Sequence, residues 1–156
     1  MRIAQFTLLL TVMLMTADAL AAQGEISVVP RNDLRFGELI RGVPTSIAPF
    51  RLLRSGLIEV RGSRNASIRI EYVLPPTMRS AAGDQIPLTF GADDGFAVPT
   101  GGSFTLRFNP QQPLVTSIGW LGRMFVFLGG TAEPSRTQRS GSYRAVITLT
   151  VYSIGT

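Results

Sequence analysis

Residues 140–156 read SGSYRAVITLTVYSIGT. From Tyr143 onward the chain alternates. Tyr143, Ala145, Ile147, Leu149 and Val151 fall on one side, with mostly polar residues between them. A period of two is the mark of a half-buried β-strand, since successive side chains point to opposite faces. The run therefore predicts a long terminal strand over 143–152 with one face on a core. It also raises the question of what lies along its other edge.

The same pattern recurs upstream in shorter pieces. In GEISVVP, Ile26 and Val28 share a face and Pro30 ends the run. In DLRFGEL, Leu34 and Phe36 point the same way, and Gly37 marks a bulge or sharp exit. The stretch GLIEVRGSRNASIRIEYVLP reads as a hairpin, with Glu59, Arg61, Arg69 and Glu71 on its outward face, placed to pair across the strands. SFTLRFNP turns Phe104, Leu106 and Phe108 inward, and GRMFVFLGGT is apolar enough for a central strand buried on both faces. Gly129-Gly130 and the PTGG of residues 99–102 read as β-turns, because neither opens a helix that could hold a phosphate. No amphipathic helical stretch follows residue 22. Short alternating runs punctuated by Gly, Pro, Asn and Asp predict an all-β antiparallel sandwich.

The first segment, MRIAQFTLLLTVMLMTADALAA, has another character. A basic residue, a short apolar run and the small residues Ala19 and Ala21 form the pattern of a cleaved signal peptide over 1–21, leaving one domain over 22–156. The apolar run is too short to span a hydrocarbon core of about 30 Å as a helix. The expected product is exported, to the periplasm, the outer-membrane surface or the exterior, and is not an integral membrane protein once cleaved. Nucleic acid is not an expected partner of an exported chain. The net charge of +5 reads as a solubilising surface, with arginines scattered among carboxylates.

The 156 residues contain no cysteine and no histidine, and all fifteen basic residues are arginine. Disulfides, thiolate metal sites, the Ser-His-Asp triad and lysine Schiff bases are thereby removed. Asp93-Asp94 could offer oxygen ligands, but a calcium loop needs more of them, and Asp-Gly is first a turn signal. No pair of carboxylates is singled out as a glycosidase would need. No catalytic residue, cofactor or metal is expected, and the chain reads as a non-enzyme. Trp120, the one tryptophan, could stack on a sugar but fits better as a plug for one end of the sandwich. Tyr143 stands where immunoglobulin-like sandwiches use a tyrosine to lock a corner by bonding back to the backbone.

Three segments in order, LRFGELIRG, YVLPPTMRSAAGDQIPLTF and LGRMFVFLGGTAEPSRTQRSGSYRAVITLTVYS, resemble a family of exported bacterial proteins akin to the spore coat protein U and archaic chaperone–usher pilin group. The matching positions are Leu34, Phe36 and Gly37, then Gly129 and Gly130, then Gly141, Tyr143 and the strand through Ile147, Leu149 and Val151. The resemblance implies an immunoglobulin-like, pilin-like β-sandwich and a structural or adhesive role at the cell surface. Unlike the pilins of that group, this chain has no cysteine pair. The alternative reading is a self-contained periplasmic module that binds an anionic or carbohydrate ligand.

A long apolar edge is not left bare in native proteins. The edge beside residues 143–152 is expected to be closed by the chain's own Ile26, Val28 and Val29, by a second copy, or by a periplasmic chaperone strand. Self-closure is the expectation for the isolated protein.

Overall fold

A computed structural model describes residues 25–102 and 104–154; the signal-peptide reading lies outside the described residues. The described residues hold no helix and the following strands: β1 (Ser27–Asn32), β2 (Thr45–Ile47), β3 (Gly56–Arg61), β4 (Ser67–Val73), β5 (Thr77–Ser80), β6 (Gln85–Thr89), β7 (Gly95–Pro99), β8 (Leu106–Phe108), β9 (Leu114–Ser117), β10 (Arg123–Leu128), β11 (Gly130–Ala132), β12 (Tyr143–Arg144) and β13 (Thr148–Ser153). All pair antiparallel. One sheet runs β1-β3-β10-β7-β8, a second β12-β5-β6-β11-β2, and a third β13-β4-β9.

The first sheet packs its inner face on the other two, which makes an antiparallel β-sandwich. Val60, Ala97, Phe108, Met124 and Val126 of the first sheet meet Ile68 and Ile70 of the third and Ile118 in one core cluster. Ile47, Met78, Ile86, Leu88 and Ala132 of the second sheet gather with Phe36, Phe90 and Leu128 in another. Tyr72 packs against both. Each of the larger side chains contributes about 1.5–3 kcal/mol when fully buried, so the fold rests on apolar contact and needs no disulfide. As the apolar run predicts, β10 is the middle strand of its sheet, with Met124, Val126 and Leu128 buried inward and Phe127 9% exposed on the other face.

Several local expectations are corrected. The run 143–152 is not one ladder. Thr148 to Ser153 pair with β4, whereas Tyr143 and Arg144 pair with β5, and five residues, 74–78, stand opposite three, 145–147. Pro75 and Pro76 cause the break, because neither carries an N–H to donate to a ladder. Nor do β3 and β4 form a paired hairpin. They lie in opposite sheets, and their inward residues Val60, Ile68 and Ile70 meet across the core. Their charges accordingly pair along each strand, Arg61 with Glu59 and Arg69 with Glu71.

Leu34 and Phe36 do share a direction into the core, but residues 33–39 form no strand; the segment is held by Arg35 N–H donating to the Arg54 carbonyl at 2.8 Å. Gly37 leaves with φ +75°. Phe104 is 51% exposed, not inward. Gly129-Gly130 is not a turn. It is the point where the chain passes from the first sheet into the second, and Gly129 N–H donates to the Asp94 carbonyl at 2.7 Å.

Candidate functional site

The sandwich is open along one seam. β1 forms one edge of the first sheet and, among the described residues, has β3 as its sole partner; β13 forms an edge of the third sheet and pairs there only with β4. Between the two edges runs a groove of ≈740 Å³. Val28, Pro30 and Asn32 form one wall, and Ala145, Ile147 and Leu149 the other. Its floor is the half-buried Ile58 together with Met78, Leu88 and Leu128 of a core cluster and Tyr72, which packs on it. A second hollow of ≈660 Å³ shares Leu34, Phe36, Met78 and Tyr143 with it and carries the seam on past Gly37 and Gly141.

The terminal segment shows the consequence. Ile147, Leu149 and Val151 point toward the cores yet stay half-buried, and Ala145 is exposed. Val28 on the facing wall is 39% exposed. In a closed sandwich one more strand would cover these positions. Tyr72 carries a further sign of incompleteness: its buried hydroxyl has no hydrogen-bond partner among the described residues, and burial pushes its pKa above the ordinary phenol value. Buried polar groups are normally paired.

Self-closure of this edge is therefore corrected. The N-terminal segment pairs with β3, on the far side of the groove from β13. Its register explains why. With Val29 opposite Glu59, Arg31 reaches the Glu59 carboxylate on the outer face while Val28 and Pro30 turn toward the groove. Arg61 holds the same carboxylate at 2.8 Å, so Glu59 is clamped by two guanidinium groups with its side chain 3% exposed. The hydrogen bonds from Arg61 and then Arg31 bring its pKa down from 4.5 to about 2. A depressed carboxylate adds stability above its unfolded-state pKa and loses it as pH falls through the folded value. Glu59→Gln should thus lower the melting temperature at pH 7 by several degrees, with the gap to the parent protein closing between about pH 4.5 and 2. Thermal melts over that range check this; a gap that stays constant with pH would remove the ion clamp as its cause.

The far end of the seam is fixed by Tyr143. Its hydroxyl donates to the Arg139 carbonyl at 2.7 Å and accepts from Gln138 Nε2 at 2.8 Å. This sets the approach of residues 139–144 to β5. Tyr143→Phe removes both bonds and keeps the ring. The expected loss is about 1–2 kcal/mol, read as a lower urea midpoint with an unchanged slope.

Of the residues singled out from the sequence, Val28, Leu34, Phe36, Ile147 and Leu149 meet in the groove, and Gly37, Gly141 and Tyr143 line its extension. Ile26 and Val151 pack instead on the core cluster beneath β4. Gly129 and Gly130 lie away from the groove, against Ile47, Pro49 and Phe90. The floor residues Ile58, Tyr72 and Leu128 had no sequence signal beyond being apolar members of strands.

Trp120 is 53% exposed and outside the groove, so it plugs nothing. Its indole lies over Gly101, whose φ of +82° and missing side chain leave room for the ring. Asp94 accepts a bond from Gly91 N–H at 2.7 Å and so closes its own turn. Among the described residues no three acidic, His or Cys side chains gather where a metal ion could sit, and no helix is long and apolar enough to cross a membrane. No protein-family model matches the chain, and no curated protein matches it at a significant level.

Proposed function

We propose that this protein is an exported, non-enzymatic, pilin-like structural subunit of the cell surface, whose seam groove takes up an extended strand from a second copy. One observation carries the reading: a floor of largely core side chains lies open between two strand edges, each without a partner on the groove side among the described residues. A peptide strand fits such a site. Its backbone can pair with the free edge of residues 145–149, and alternate side chains can reach the floor. The resemblance in motif order to spore coat and archaic pilin proteins favours the same reading. A binding module for an anionic or sugar ligand is the weaker alternative. The groove has Arg35 and Arg144 at its margin, but its floor is aliphatic and Trp120 is elsewhere.

Sedimentation of the chain from Gln23 onward tests the proposal. The parent protein should associate as its concentration rises. Leu149→Arg and Val28→Arg, which put a charge on opposite walls, should each abolish association while melting cooperatively. A parent protein that stays monomeric, or two variants that associate like it, would overturn the proposal.

A further inference from the structure

The turn between β2 and β3 is built unlike the rest of the surface. It reads PFRLLRS over residues 49–55. Phe50 is 52% exposed, Leu52 66% and Leu53 88%. These three side chains add little to either core and line no part of the groove. An ordinary solvent-facing turn would carry Asn, Asp, Ser or Gly here.

The turn is also held firmly. The Arg51 carbonyl accepts from Arg54 N–H and Ser55 N–H, both at 2.8 Å, and from Ser55 Oγ at 2.9 Å. Ser55 is fully buried, and Asn32 Nδ2 donates to its carbonyl at 2.9 Å. The Arg54 side chain donates to the carbonyls of Arg35 and Phe36. A set of partly buried polar bonds thus fixes a turn whose tip is apolar and wet, which lowers the ordering cost of any contact the tip makes.

The turn itself carries charge of one sign. Arg51 flanks the leucines, Arg54 stands at the base, and the Arg107 guanidinium lies 5.6 Å from the centre of the Phe50 ring. No Asp or Glu occurs between Glu38 and Glu59. Neither Arg51 nor Arg107 pairs with a carboxylate among the described residues.

We infer that this turn is a membrane-surface anchor, with Phe50, Leu52 and Leu53 entering the interface of an anionic bilayer and Arg51 and Arg107 meeting its head groups. A side chain that is 88% exposed stands clear of its own fold. That suits insertion into a soft interface better than a rigid, complementary protein surface. Apolar residues ringed by cations are what anionic bilayers attract.

The chain from Gln23 onward, which contains every strand and both core clusters, is mixed with vesicles of phosphatidylcholine alone or of phosphatidylcholine with phosphatidylglycerol, and the bound fraction is measured by flotation. Binding should require the anionic lipid and weaken with salt. Leu52→Ser with Leu53→Ser should weaken it about tenfold or more, and Arg51→Gln about fivefold. All variants should melt with the parent protein, since the altered side chains are exposed. No binding of the parent to the anionic vesicles would overturn the inference, as would equal binding by the double variant. Self-association of the parent that the double variant loses, without vesicle binding, would assign the turn to a protein contact instead.

Discussion

Gly129→Ala should be among the most damaging single-methyl additions in this protein, at about 3–5 kcal/mol. A Cβ at that position would fall on the carbonyl oxygen of Ile47, 2.9 Å from the Pro49 nitrogen and 3.0 Å from its Cδ. Most of these obstacles are backbone atoms, and none is the free end of a flexible side chain. Ile47 cannot easily retreat, because it pairs with Gly130 where β2 meets β11. The next residue is no freer: a Cβ on Gly130 would lie 3.0 Å from the Phe90 ring. Since a domain is stable by about 5–15 kcal/mol in all, the variant should melt far below the parent or fail to accumulate. Gly83→Ala is the control. Its φ is +91° but nothing lies within 4 Å, so it should lose only the backbone cost of about 1–2 kcal/mol. Equal melting temperatures for the two variants would show that the crossing from the first sheet to the second has slack.

That crossing also shows where the sequence stops being informative. Gly-Gly after an apolar strand reads as a turn, because local sequence reports that a side chain is missing, not which backbone needs the space. Alternation has a similar blindness. It found the inward faces of β3 and β4 through Val60, Ile68 and Ile70, but inward faces alternate alike whether two strands lie in one sheet or face each other across a core. The hairpin reading of residues 56–74 failed for that reason. The long strand over 143–152 was legible as a face and not as a ladder, since the break comes from Pro75 and Pro76 on the partner. Tyr143 was legible because Gly-x-Tyr before an alternating run is a local pattern, and its bond to the Arg139 carbonyl is local too. The groove was half legible. Its walls, Val28, Ile147 and Leu149, carry the strand pattern; its floor, with Tyr72 and Leu128, depends on how the sheets stack.

The second large effect is a gain. Residues 154–156 can be replaced by Asn-Gly and a second copy of Ala145–Tyr152, which sets the copied Ile, Leu and Val opposite Val151, Leu149 and Ile147 of the natural strand. Asn-Gly favours a tight hairpin, so the added strand can fold back along β13 into the groove. Its Ile, Leu and Val copies would be buried at about 1.5–3 kcal/mol each, and its backbone would pair with an edge that has no partner among the described residues. The link keeps the closure cost low. A net gain of several kcal/mol should raise the melting temperature by about 10 °C or more.

The same extended chain tests the strand-acceptor groove most directly, through its melting temperature and sedimentation measured beside those of the natural chain. A strand-accepting groove predicts a clear rise in melting temperature together with loss of self-association, because the site is occupied from within. An unchanged melting temperature with unchanged association would contradict it, leaving the seam between β1 and β13 as a surface feature with no strand to receive.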